Sequence, residues 1–187
     1  MTAYVLLFRG VGGATQLPTA PLRAALAEAG FGHVATYINS GNAVLTSNWP
    51  AERVVAAVAE LCATRFGFTK DIHARTREEW AELVARNPFP DAVAAPTTLH
   101  AAVLAREPEP RRIEALRALS GGGDRIEVIG RVAYIHTPGG LSASRLGAGF
   151  DKGLGVPNTA RNWNTVLRLM ELLRAAGPDL GRPQDGR

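Results

Sequence analysis

The sequence predicts an α+β protein built from two ferredoxin-like (βαββαβ) subdomains packed together, with antiparallel sheets and helices on their faces. Two observations lead to this prediction. Within residues 1–75, apolar segments and turn signals follow the order strand, helix, strand, strand, helix, strand, and a similar pattern recurs from residue 97 onward. We expect one subdomain over residues 1–75, a second with the C-terminal helices over residues 76–176, and a disordered tail over residues 177–187.

The first predicted unit contains four strands and two helices. The strands are residues 4–8, 33–38, 43–47 and 69–75, and the helices are residues 21–29 and 51–66. The first strand is an unbroken apolar run, which is typical of a strand covered on both faces. Pro21 suits a first helical turn, and Gly30 and Gly67 suit helix ends. The second and third strands form a hairpin around the turn Asn39-Ser40-Gly41-Asn42.

The second predicted unit begins with a helix over residues 77–86. Thr76 is a suitable N-cap with Glu79 three residues later, and Asn87-Pro88 ends the helix. The remaining predicted elements are strands over residues 97–104, 125–129 and 132–136 and helices over residues 110–119, 142–150 and 160–176. The succession of strand, helix and hairpin repeats that of the first unit, which indicates an internal duplication.

Composition favours a soluble, globular, cytoplasmic protein. Of the 187 residues, 46% are apolar, which excludes a disordered or fibrous class. No segment approaches membrane-spanning length, and the apolar run over residues 3–8 lacks the basic start and the cleavage site of a secretory signal. The single cysteine, Cys62, fits a reducing compartment. We therefore expect no membrane partner.

The charge balance is compatible with nucleic-acid binding but does not require it. Lysine plus arginine exceed aspartate plus glutamate by 21 − 17 = 4, and this surplus is scattered along the chain. RNA recognition by a ferredoxin-like sheet usually relies on exposed aromatic residues on the central strands, and residues 43–46 contain none. Arg111, Arg112 and Arg117 are more simply explained as a solvated helix face.

Polar amide and guanidinium groups are concentrated at the predicted start of the last helix. Arg161 lies in its first turn with Lys152 shortly upstream, so together with the helix N-terminus they could hold a phosphate or carboxylate. Asn162 is expected to be half-buried and to bracket a neighbouring loop or a ligand, and Asn164 lies on the polar face. A local structural role is the alternative, in which Asp151 pairs with Arg161 and Asn162 fixes a loop.

A second polar cluster lies in the hairpin turn, where Asn39, Ser40 and Asn42 could bind a ligand beside the bare backbone of Gly41. Turn chemistry alone also explains these residues, because glycine adopts positive φ and asparagine tolerates it. Arg9 begins a third cluster, a glycine-rich loop that follows a strand. This loop lacks the third glycine of a dinucleotide-binding loop and a hairpin follows it, which argues against a Rossmann fold.

The sequence contains no recognisable metal site or catalytic constellation. His33, His73, His100 and His136 show no ligand spacing, and we expect no metal and no cofactor. Cys62 lies on the apolar face of a predicted helix, and we expect it to be a buried packing residue. No Gly-x-Ser-x-Gly nucleophile elbow is present.

We expect the three polar clusters to converge on one site. The leading prediction is binding of an anionic, phosphorylated small molecule. One alternative is a nucleic-acid-binding protein, whose affinity would fall steeply with salt. The other is an enzyme acting on a phosphorylated substrate, with charged residues that meet only in three dimensions. The sequence does not predict the oligomeric state.

Several short motifs together resemble one bacterial family. They are Leu7-Phe8-Arg9-Gly10-Val11-Gly12-Gly13, Leu22-Arg23, Gly30-Phe31, Thr36-Tyr37-Ile38-Asn39-Ser40-Gly41-Asn42, Asn87-Pro88-Phe89 and the segment from Thr159 to Val166. This pattern resembles the domain of unknown function 1697 family over most of the chain. The resemblance implies two ferredoxin-like subdomains and no established activity. The family loop usually has two more residues between its Arg-Gly and its Gly-Gly, so a pocket lined by this loop would differ here.

Overall fold

A computed structural model describes residues 1–12, 15–38 and 41–176. Its elements are β1 (Thr2–Phe8), α1 (Thr19–Glu28), β2 (Gly32–Thr36), β3 (Asn42–Ser47), α2 (Ala51–Phe66), β4 (Ile72–Thr76), α3 (Arg77–Ala85), β5 (Leu99–Leu104), α4 (Pro110–Arg117), β6 (Arg125–Ile129), β7 (Val132–His136), α5 (Arg145–Leu154), β8 (Asn158–Asn162) and α6 (Trp163–Ala176). The predicted tail over residues 177–187 lies outside the described residues. None of the helices in the described ranges is both long enough and apolar enough to cross a membrane.

The strands form two four-stranded antiparallel sheets with the same topology. The order is β2-β3-β1-β4 in the first sheet and β6-β7-β5-β8 in the second. In both sheets the central strand, β1 or β5, pairs with the second strand of a hairpin on one side and with the last strand of the unit on the other. This is the ferredoxin-like arrangement, so the predicted α+β class with two such subdomains is confirmed.

The internal duplication extends to individual side chains. Arg75 of β4 lies opposite Val5 of β1, and Arg161 of β8 lies opposite Ala101 of β5. In each arginine, Nη1 donates a hydrogen bond of 2.8 Å to the carbonyl oxygen of the preceding alanine. A helix begins two residues after each of them. The two arginines therefore occupy equivalent positions in the two repeats.

Helices α1 and α2 pack on one face of the first sheet, and α4 and α5 pack on one face of the second. Leu6 and Phe8 of β1 belong to a core that includes Leu26 of α1 and Val58 of α2. In the second sheet, Leu104 of β5 belongs to a core formed with α4 and α5. The residues that alternate with these on β1 and β5 are also buried, so both central strands are covered on both faces. The unbroken apolar run of the first strand predicts this result for β1.

The chain divides into two compact units. The first comprises Met1–Ala81 together with the described residues from Leu169 onward, and the second comprises Glu82–Arg168. The domain boundaries expected from the sequence, at residues 75 and 176, stay a prediction.

The last helix begins three residues later than the sequence predicts. Residues 158–162 pair with β5 as strand β8, and the helix starts only at Trp163. Oδ1 of Asn162 accepts a 3.0 Å hydrogen bond from the backbone N–H of Thr165, so this side chain caps the helix. Arg161 consequently lies in a strand, and its predicted place in the first helical turn is wrong.

The preceding helix is also displaced from its predicted position over residues 142–150. Ser144 sets its start, because the Ser144 Oγ accepts a 3.0 Å hydrogen bond from the backbone N–H of Gly147. Gly155 ends the helix in the left-handed conformation that glycine adopts without steric cost.

Candidate anion-binding site

The Arg9 loop and the turn before β3 meet at one end of the first sheet. The backbone N–H of Phe8 donates a 2.9 Å hydrogen bond to the carbonyl oxygen of Gly41. On the other side of β1, the N–H of Arg9 donates a 2.9 Å hydrogen bond to the carbonyl oxygen of Asp71. Two of the three polar clusters are therefore neighbours. We refer to this region, formed by residues 9–12, Gly41, Asn42 and Lys70, as the loop end.

Gly41 allows the turn to approach the Arg9 loop closely. Its φ of 75° lies in the left-handed region, where side chains are rarely found. A Cβ at this position would lie 2.7 Å from Cγ2 of Val11 and 2.9 Å from Cβ of Phe8. Both the conformation and the contact therefore require glycine here.

The side chain of Asn42 forms a hydrogen bond within the turn. Its side chain is buried, and its Nδ2 donates a 3.2 Å hydrogen bond to the carbonyl oxygen of Tyr37. The N–H of Tyr37 in turn donates a 3.1 Å hydrogen bond to the carbonyl oxygen of Asn42. This geometry fits the structural alternative for Asn42. The other two predicted turn residues, Asn39 and Ser40, lie outside the described residues.

Lys70 places a cation against the loop that follows Arg9. The lysine is exposed, and its Nζ lies 3.3 Å from the carbonyl oxygen of Gly10 and 3.3 Å from Oγ1 of Thr15. Both of these acceptors are uncharged. An ammonium group has three donors, so two hydrogen bonds to the loop leave one for a ligand. Arg9 itself is half-buried.

Lys70 is not among the site residues that the sequence predicts. Its position depends on the antiparallel pairing of β1 with β4, which brings the start of β4 beside the end of β1. The ferredoxin-like topology that the sequence predicts contains this pairing. That topology is the signal from which the lysine could have been found.

The loop end also presents two consecutive backbone amides. Gly10 has a φ of 64°, in the left-handed region. Within the described residues, neither its N–H nor that of Val11 donates to a backbone carbonyl, whereas the next amide, that of Gly12, donates to Thr15 at 2.8 Å. Adjacent amides around a left-handed residue form a concave arrangement that suits an anion.

Arg161 lies on the face of the second sheet opposite α4 and α5. Its neighbour Ala160 packs against the core beneath those helices, and successive strand residues point to opposite faces. Nη1 of Arg161 donates hydrogen bonds to Oγ1 of Thr159 at 2.7 Å and to the Ala160 carbonyl oxygen. Burial lowers the pKa of the guanidinium to about 10, so it remains charged at neutral pH.

The structure does not bring Lys152 and Arg161 together. Lys152 is an exposed residue of α5, which packs on the other face of the second sheet. Asn164 is exposed on α6, and the side chain of Asn162 is used in the helix cap. Asp151, considered above as a partner for Arg161, accepts a 2.9 Å hydrogen bond from the side chain of an asparagine at the start of β8. The convergence of all three clusters stays a prediction.

Cys62 is an apolar packing residue of α2. It is fully buried, and desolvation raises the pKa of its thiol to about 11, so it is protonated at neutral pH. Across the described ranges, no group of three or more His, Cys, Asp and Glu side chains is placed to hold a metal ion.

Comparisons with known proteins identify the family and support the fold. The solved structure of the conserved bacterial protein SP0830 from Streptococcus pneumoniae is similar, with a TM-score of 0.67 and 23% sequence identity over 92% of this chain and 98% of that chain. At this identity the likeness shows the fold alone. No curated protein matches the sequence. The family described as "Protein of unknown function (DUF1697)" matches residues 1–134. That match covers more than half of the 187 residues, and the chain therefore belongs to the DUF1697 family.

Proposed function

We propose that the protein binds a small anionic molecule, in the simplest case a phosphorylated one, at the loop end. The observation that carries this proposal is the placement of Lys70 across the same glycine loop that offers the amides of Gly10 and Val11. A cytoplasmic, bacterial setting, as the sequence predicts, is part of the proposal. No reaction is proposed.

The chemistry of the loop end matches a phosphate group. Phosphate oxygens accept charge-assisted hydrogen bonds, which are shorter and stronger than bonds between neutral groups. Lys70 can supply one such bond, and Arg9 adds a guanidinium suited to two phosphate oxygens at once. The adjacent amides of Gly10 and Val11 can donate to the same ligand without any side-chain entropy cost.

Isothermal titration calorimetry tests this proposal with inorganic phosphate, pyrophosphate and adenosine monophosphate. The chain contains only two lysines, so Lys152→Gln is a matched control for Lys70→Gln. Removing one charge-assisted hydrogen bond should weaken anion binding by about tenfold or more in Lys70→Gln. Lys152→Gln should bind like the native chain. Equal affinity in all three proteins would refute the site.

Two further measurements separate this site from the alternatives. Arg161→Ala tests the site expected at the last helix, and the proposal requires that its phosphate affinity equal that of the native chain. A short single-stranded oligonucleotide tests nucleic-acid binding. Oligonucleotide affinity that falls steeply with salt and is unchanged in Lys70→Gln, without phosphate binding, would favour a nucleic-acid-binding protein instead.

A further inference from the structure

We infer that a cavity in the second compact unit binds a small zwitterion, and that free α-amino acids are the ligand class. The cavity has a volume of about 260 Å³. Its lining includes Leu119, Gly121, Asp124, Gly139, Ser144 and Arg145. Three chain segments therefore form it: the loop between α4 and β6, the loop after β7, and the start of α5.

Asp124 supplies the negative side of the cavity. One of its oxygens, Oδ2, accepts a 2.6 Å hydrogen bond from the hydroxyl of Ser144. The same hydroxyl oxygen accepts from the backbone N–H of Gly147, so the helix cap holds the carboxylate in place. The other oxygen, Oδ1, has no hydrogen-bond partner among the described residues. A ligand ammonium group can donate to it.

Arg145 supplies the positive side. It is the first residue of α5, it is exposed, and it lines the cavity. Within the described ranges it makes no ion pair and no side-chain hydrogen bond. A guanidinium that is not engaged by other side chains can bind a ligand carboxylate through two parallel hydrogen bonds.

The opposite charges select the class of ligand. A simple anion attracted by Arg145 would be repelled by Asp124, and a simple cation attracted by Asp124 would be repelled by Arg145. A molecule that carries an ammonium and a carboxylate group satisfies both. No ion pair joins the two residues within the described part of the chain, so each charge remains available to the ligand.

The size and the walls of the cavity favour a small ligand. Pockets for drug-sized molecules begin at roughly 300 Å³, slightly above the volume found here. Leu119 adds an apolar wall, while glycines keep the space open. A Cβ added at Gly121 or Gly139 would meet no atom within 4 Å. An amino acid with a modest side chain fits this space.

The experiment measures thermal stabilisation by each of the twenty proteinogenic amino acids, followed by calorimetry with those that stabilise. Stabilisation of the native chain by at least one free amino acid is expected. Its N-acetyl derivative and its methyl ester each lack one of the two charges, and their affinity should be lower by about tenfold or more. Stabilisation by none of the twenty, or equal binding of the derivatives, would overturn the inference.

Three variants place the binding in this cavity. Asp124→Asn keeps an acceptor for Ser144 and should reduce affinity for the free amino acid by about tenfold, as should Arg145→Gln. Arg174→Gln removes an exposed arginine at the end of α6 and should bind like the native chain. Binding that is unchanged in both cavity variants would contradict the assignment. The residues at the loop end take no part, so this result and that of the phosphate titration are independent.

Discussion

Replacing Gly41 by alanine tests the close approach of the turn to the Arg9 loop. A Cβ at this position would lie 2.7 Å from Cγ2 of Val11 and 2.9 Å from Cβ of Phe8. The left-handed conformation costs an L-residue about 1–2 kcal/mol, and overpacking against neighbouring atoms adds about 1–3 kcal/mol. We therefore expect Gly41→Ala to lower the free energy of unfolding by about 2–5 kcal/mol.

Gly67→Ala is the matched control for this substitution. Gly67 has a similar φ, 63°, but a Cβ there would meet no atom within 4 Å. Only the conformational cost of about 1–2 kcal/mol should then remain. Urea unfolding followed by tryptophan fluorescence measures both variants against the native chain. Equal losses in the two variants would mean that the turn does not pack against Phe8 and Val11, and the geometry of the loop end would be refuted.

Three further predictions concern single side chains. Cys62 should resist a disulfide reagent at mildly alkaline pH and react in urea, because burial raises the pKa of its thiol to about 11; rapid reaction of the folded protein would contradict this. Burial and the nearby Arg125 lower the pKa of His136 in the folded state, so the unfolded chain binds the proton more tightly. Urea unfolding should therefore show stability that falls as the pH drops through the ordinary histidine pKa of about 6.5. The fall should be smaller in His136→Gln, and a pH profile of this variant identical to that of the native chain would refute this. Asn162→Ala should cost about 1 kcal/mol in urea unfolding through the lost cap on Thr165, and no loss would show that the cap is unimportant.

The order of the elements could be predicted because it depends on local signals. Apolar runs mark the strands, and glycine and proline mark the turns and helix ends. The prediction was wrong where a distant partner decides the conformation. Residues 160–162 carry no strong strand pattern, yet they pair with β5, which lies more than fifty residues earlier in the chain. The helix predicted for these residues is therefore wrong, and Arg161 lies in a strand instead of a helix.

The candidate site likewise combines features that the sequence predicts with features that depend on contacts distant in the chain. The meeting of the Arg9 loop with the hairpin turn follows from the antiparallel pairing of a first strand with the third, which the predicted topology contains. Lys70 was missed because it contacts the loop through Gly10, sixty residues away, and no local pattern distinguishes it from a solvated lysine. The charged cavity of the second unit was missed for a related reason. Asp124 lies in the loop before β6 and Arg145 is the first residue of α5, and only the folded chain brings the two to one cavity.

Anion binding at the loop end is tested most directly by the relative reactivity of the two lysines. Limited acetylation with and without phosphate, read out by mass spectrometry, compares Lys70 with Lys152 in one molecule, so Lys152 serves as an internal control. Phosphate should protect Lys70 in a concentration-dependent manner and leave the modification of Lys152 unchanged. Equal modification of Lys70 at every phosphate concentration would contradict the proposed site.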